Sequence, residues 1–163
     1  MGSVYEKCMN AYPLVLFAAL VGVCMSRRLT YLYAVGYAAN TVANYGLKLF
    51  FRQVLGPIGN RPLPYRPHNP LTPIPLIGNS FRNADSYGFP SGHAQSVGYF
   101  LAFVHHVLPW RSWHAVIGLL LAAWLLYTRV AFRRHTPVQV VAGFAFGAAF
   151  FHAFRVMLAR NSN

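Results

Sequence analysis

Carboxylates are nearly missing from this chain. Glu6 and Asp85 are its only acidic residues among 163, against 14 lysines and arginines, for a formal net charge of +12. So few acids exclude a paired-carboxylate mechanism and argue against a carboxylate-rich metal site. Cysteine is as scarce: Cys8 and Cys24 both lie near the first apolar run, which supports neither a disulfide framework nor a zinc motif and says nothing about compartment. Histidines are too few and too irregularly spaced for a histidine-rich di-iron site. A continuous basic face is also lacking. The basic residues sit between apolar runs, so a pI near 10.4 does not point to nucleic acid. No small-residue cleavage site follows the first apolar run, which meets Arg27 and Arg28 instead, so that run is expected to remain as an anchor.

What the chain has is apolar length. Hydrophobic residues make up 56% of it and aromatics 16%, and the mean hydropathy of +0.37 is too high for an ordinary soluble domain of this size. Apolar runs fall near 8–25, 29–51, 93–109, 113–132 and 137–158, each close to the roughly 20 residues that cross a bilayer. They predict an all-α, polytopic transmembrane bundle of about five helices, formed by residues 1–163 as a single domain. Asn40, Asn44 and Gly46 interrupt the second run, and Gly143 and Gly147 form a small-xxx-small pattern in the last. Both features predict packing against other helices as well as lipid.

The composition changes between the second and third runs. "GPIGNRPLPYRPHNPLTPIPLIGNS" is too dense in Pro and Gly for a long helix or a central strand. A loop over about 52–92 follows, and its length together with Arg61, Tyr65 and Arg66 favours a lid or binding loop over a mere connector. With five crossings, this loop, the N-terminus and the polar island "YTRVAFRRHTPVQ" (127–139) share one face of the membrane. Arg27, Arg28, Arg111, Arg155 and Arg160 fall on the other. Short positive loops mark the cytoplasmic side, so the polar face is expected to be extracytoplasmic, either ER-lumenal or periplasmic.

Four polar elements would meet there: Lys48 at the end of the second helix, an Arg-Pro from the loop, Pro90-Ser91-Gly92-His93, and Arg129 with His135. Arg forks bind phosphate oxygens in pairs, and Lys adds a point charge. The amides at Ser91 and Gly92 would open a helix whose positive end attracts an anion. A neutral imidazole can attack phosphorus, and a protonated one opposite can give its proton to the departing oxygen. The cationic side chains can neutralise the developing charge themselves, so no metal or other cofactor is required.

These residues resemble the type 2 phosphatidic acid phosphatase superfamily, whose motifs read KxxxxxxRP, PSGH and SRxxxxxHxxxD. The resemblance covers residues 48–139 and, with the order of helices, 29–158. It implies that His135 is the nucleophile and His93 the general acid. It also implies that Lys48, Arg61, Ser91, Gly92 and Arg129 hold the phosphate, with Arg66 beside Pro67 as the alternative to Arg61. The superfamily usually has six membrane helices, so this chain would lack the first of them.

The pattern departs from the family at three points. The gap from Lys48 to Arg61 is longer, Thr128 replaces the Ser before Arg129, and Gln139 stands where the family has Asp. One helical turn beyond His135, the Gln139 amide oxygen is placed to accept the Nδ1 proton and keep Nε2 free, but without charge support. In this Gln, in "HTPVQ" and in "YGFPSGHAQ" the chain looks like the dolichyldiphosphatase branch, where "HTxxQ" and "YGMPSSHSQ" are typical. Cleaving a diphosphate expels a phosphate monoester, a better leaving group than an alkoxide, so a polyprenyl diphosphate fits weaker support of the nucleophile better than phosphatidic acid does.

The reading is an integral membrane lipid phosphatase, with lipid phosphates or diphosphates and membrane lipids as its partners. Its rivals are a lipid phosphotransferase, which passes the same phosphohistidine to another acceptor, and a non-catalytic lipid-phosphate binder. The vanadate haloperoxidases share the motif chemistry but are soluble. His105, His106, His114 and His152 are expected at interfaces or in packing, Arg133 and Arg134 as interfacial anchors or phosphate-attracting charge, and the aromatic residues 110, 113, 124 and 127 in an aromatic belt.

Overall fold

In a computed structural model, residues 26–55, 88–107, 113–132 and 134–160 are described. They form four helices: α1 (Arg27–Leu55), α2 (Gly92–Val107), α3 (Trp113–Ala131) and α4 (Pro137–Arg160). The expected helix over 8–25 and the Pro/Gly-rich stretch 56–87 lie outside them, as do Cys8, Cys24, Arg61, Tyr65, Arg66 and Arg133.

Local chemistry explains the helix starts. Ser26 caps α1, its hydroxyl accepting from the Leu29 amide at 3.4 Å, and Ser91 caps α2 in the same way through the Ala94 amide at 3.4 Å. α4 opens with a capping box and with Pro137 at its first position. The Thr136 hydroxyl accepts the Gln139 amide N–H at 3.3 Å, while Gln139 Oε1 accepts the Thr136 N–H at 3.1 Å. At the other end of α1, residues 52–55, expected in the loop, are helical instead. Arg52–Leu55 continue the helix because they contain no breaker, and Gly56-Pro57 follow them in the sequence.

α2 is the central helix. It runs parallel to α4, and their contact is built on glycine. A Cβ added at Gly147 would overlap the Gln95 carbonyl oxygen, one at Gly98 the Phe144 carbonyl oxygen, and one at Gly143 the Ser91 carbonyl oxygen. The packing expected of Gly143 and Gly147 is therefore present, with α2 as the partner. Below it, Tyr33 of α1, Tyr99 and Phe103 of α2, Leu125 of α3 and Phe151 of α4 share one buried cluster. Tyr33 and Phe103 meet edge to face, with ring centroids 5.0 Å apart.

The polar residues of α1 also find partners on α2. Gln95 donates through Nε2 to Asn40 Oδ1 at 2.9 Å and to the Asn40 carbonyl at 3.0 Å, and accepts from Asn44 Nδ2 at 2.8 Å. Gln95 and Asn40 are fully buried. Gln95→Leu would leave both asparagine side chains short of a partner, so we expect a loss of about 1–2 kcal/mol, measured by thermal unfolding in detergent. Gly46, grouped with these asparagines in the sequence, faces open space.

Among the described residues only α4 is long and apolar enough to cross a bilayer by itself; the shorter apolar helix is Val116–Ala131. The physical reasons differ between helices. α1 carries Arg27, Arg28, Lys48 and Arg52 along with its asparagines. α2 has 16 residues, a length of about 24 Å against a hydrocarbon core of about 30 Å. Large apolar side chains are exposed along α1 and α3, including Tyr31, Val42, Trp113 and Leu120.

Candidate active site

All four helices present an end to one place. α1 and α3 finish there and α2 and α4 begin there, so two helix N-termini, each a positive dipole end, converge. Four contacts fix this convergence. Phe51 near the end of α1 meets Phe89 edge to face, with centroids 4.8 Å apart. The Arg129 carbonyl in the last turn of α3 accepts from the Arg134 and His135 amides at 3.0 and 3.1 Å. The Ser91 amide donates to the Gln139 carbonyl at 3.1 Å, tying the start of α2 to the first turn of α4.

His135 sits at the centre of this junction and is 4% exposed. Its Nδ1 lies 3.1 Å from the Gly88 carbonyl and 3.2 Å from Gln139 Oε1. A carbonyl only accepts, and the Thr136 N–H on the same Gln139 atom, at 3.1 Å, identifies that atom as the amide oxygen. Both neighbours of Nδ1 are therefore acceptors. In the neutral ring the proton therefore belongs on Nδ1 and the lone pair on Nε2.

The capping box thus has a second use: the oxygen that ends the first turn of α4 also sets the tautomer of the preceding histidine. Gly88 makes room for it, since an added Cβ would stand 2.8 Å from Gln139 Oε1.

The cationic residues stand at the ends of the same helices. Arg129 is buried at 2% exposure, and its guanidinium donates through Nε to the Thr128 hydroxyl at 3.4 Å. That hydroxyl in turn donates to the Leu125 carbonyl at 2.7 Å. Thr128 therefore keeps a hydroxyl role beside Arg129. Arg134, expected as an interfacial anchor or as phosphate-attracting charge, is buried as well, at 6% exposure, which does not suit an anchor and leaves the second reading open. Ser91 is fully buried and Gly92 half-buried, with Asn44 Oδ1 2.9 Å from where a Gly92 Cβ would be. His93 is half-buried in the first turn of α2, and Lys48 is half-buried one helical turn beyond Asn44 on the same face of α1.

The family model of the PAP2 superfamily matches residues 29–162. The chain belongs to the PAP2 superfamily. This is the superfamily its motifs resemble, and the matched region takes in the four helices of the junction except Arg27 and Arg28. A curated relative, the lipid A 1-phosphatase of Rhizobium johnstonii, is 40% identical over 72 residues, covering 44% of this chain and 28% of that protein. The chain thus spans little more than a quarter of that relative's length. The relative is not a dolichyldiphosphatase, so the comparisons reach the superfamily and not that branch. No solved structure matches the chain.

Two features of this PAP2 site escaped the sequence. The Gly88 carbonyl is a backbone group, and only the identity of the residue, a Gly three before Ser91, hinted that the chain passes close to something. Gln95 had its signal in "HAQ", but its partners on α1 are distant in sequence. Of the histidines outside the motifs, His105, His106 and His152 are exposed, and His106 Nδ1 accepts from Arg155 at 3.1 Å at the far end of the bundle. Trp113, Trp124 and Tyr127 are exposed too, and Trp110 lies outside the described residues.

Proposed function

We propose that this PAP2 protein is an integral membrane lipid phosphatase that hydrolyses a lipid diphosphate, of polyprenyl type, to the monophosphate and inorganic phosphate through a phosphohistidine on His135. The observation that carries this reading is the tautomer of His135, held from two sides at Nδ1 with Nε2 left as a base. The relative named for removing phosphate from lipid A supports a lipid substrate, and the exposed apolar sides of α1 and α3 supply a surface suited to lipid chains.

In this mechanism the Nε2 lone pair attacks the terminal phosphorus. The bond from phosphorus to the bridging oxygen breaks, and His93 gives its proton to that oxygen as the lipid monophosphate departs. Arg129, Lys48 and the amides at the start of α2 hold the equatorial oxygens, with Arg61 or Arg66 joining from the loop. Water then attacks phosphorus, His93 takes the proton, and the phosphorus–nitrogen bond breaks to free phosphate and restore His135. The site lies on the extracytoplasmic face, following the distribution of arginines.

Phosphate release from detergent-purified protein, with EDTA present, tests this reading on a polyprenyl diphosphate, a polyprenyl monophosphate and phosphatidic acid. We expect the diphosphate to be fastest, with EDTA changing the rate less than about twofold, because no step assigns charge neutralisation to a metal. His93→Ala is expected to slow the diphosphate reaction by about 10²–10⁴-fold. No release from any lipid, by folded protein that still binds lipid phosphate, would instead make the chain a non-catalytic binder.

A further inference from the structure

A ladder of neutral amides joins the part of α1 that carries Lys48 to the start of α2. The Asn40 carbonyl only accepts, so the Gln95 atom 3.0 Å from it is Nε2, and Oε1 on the same amide is the acceptor for Asn44 Nδ2 at 2.8 Å. Asn44 Oδ1 is thereby turned toward Gly92, 2.9 Å from where a Cβ of that residue would be. Each amide orients the next, and α1 comes as close to the start of α2 as the missing side chain permits. Gln95 is itself anchored to the turn, since its N–H donates to the Ser91 carbonyl at 2.9 Å. Lys48 follows Asn44 by one helical turn on the same face.

The other contacts of α1 are less exacting. Tyr33 and Tyr37 lie against Tyr99, with centroids at 5.6 and 6.5 Å, but about four and three turns before Lys48. Phe51 packs on Phe89 and Phe146 at 4.8 and 5.9 Å, and ring pairs tolerate a wide range of offsets. Hydrogen bonds fix distance and direction more narrowly. We propose that Gln95 and Asn44 are positioning residues that hold Lys48 level with the start of α2, so that one phosphate meets the Lys48 ammonium and the Gly92 end of α2 together. This rests on the proposed function only in taking Lys48 as a phosphate ligand. Neutral amides suit the task. Cations gathered at one site repel one another, and a carboxylate tie would compete with phosphate for Lys48.

A double-mutant cycle on binding tests this in the full chain purified in detergent. The probe is a polyprenyl diphosphate analogue with methylene in place of the bridging oxygen, so no hydrolysis is needed. Lys48→Met is expected to weaken binding about tenfold or more. Gln95→Met is expected to weaken it about five- to tenfold when Lys48 is present, and less than about twofold beside Lys48→Met. Asn44→Ala leaves Gln95 bonded to Asn40 and is the milder variant, expected to show the same pattern at about three- to fivefold. The number of binding sites per molecule should stay the same in both. A role in folding alone would lower that number and leave the dissociation constant of the remaining molecules unchanged.

Equal losses with and without Lys48 would overturn the proposal and put the effect of Gln95 in the turn at Ser91 and Gly92 itself. Unchanged binding in Gln95→Met and Asn44→Ala would overturn it as well. If Lys48→Met alone leaves binding unchanged, Lys48 is no phosphate ligand and the proposal falls with that assignment, whereas phosphohistidine formation on His135 is decided by labelling and not by this cycle. A wild type that does not bind the probe would remove the lipid-phosphate reading of the site, and the positioning role with it.

Discussion

His135→Ala is expected to reduce phosphate release to background, a loss of about five orders of magnitude or more, on every lipid that the wild type hydrolyses. Removing a nucleophile leaves only the catalysis that binding and charge neutralisation provide, and groups that act as one unit lose nearly everything when one member goes. Binding should survive. Arg129, Lys48 and the helix starts at Ser91 and Thr136 do not depend on the imidazole for their position, because Ser91 is tied to the Gln139 carbonyl at 3.1 Å and Thr136 to the Gln139 side chain. The check is single-turnover phosphate release alongside lipid-phosphate binding. Loss of binding in parallel with activity would make His135 structural.

The second large effect concerns folding. Gly147→Ala is expected to destabilise the bundle by about 3 kcal/mol, seen as a lower unfolding temperature and aggregation in detergent. The added Cβ would overlap the Gln95 carbonyl oxygen and lie 2.8 Å from the Tyr99 amide nitrogen, both backbone atoms that cannot swing aside. α2 and α4 would have to separate, and with them the two helix starts that frame His135. Gly46→Ala is the matched control: its Cβ would meet nothing within 4 Å, so the better helix propensity of Ala should stabilise α1 by a few tenths to about 1 kcal/mol. The same substitution is thus expected to have opposite signs at two helical positions.

The sequence carried the helices well wherever caps and breakers bracket an apolar run. The helix start expected at Ser91 is capped by that residue, and Gly143 and Gly147 pack as their spacing implies. The order of polar elements at one end of the bundle was also legible, because apolar runs of helical length alternate direction. Backbone chemistry was not. The Gly88 carbonyl that holds His135 has no signature in side chains, and the burial of Arg134 follows from a turn whose tightness depends on the Arg129 carbonyl accepting two amides. Gln139 shows both sides of this. Its bond to His135 was readable from the helical spacing, whereas its part in capping α4 through Thr136 emerged only with the fold.

The most direct test of the central claim is to trap the intermediate. A polyprenyl diphosphate labelled with ³²P in its terminal phosphate is mixed with the wild-type protein, quenched within one turnover in base, and the labelled peptide is identified. A phosphohistidine at His135, stable to base and labile to acid, and missing from His135→Ala, is the predicted result. Phosphate released with no label passing through the protein, or label carried by another residue, would contradict the account.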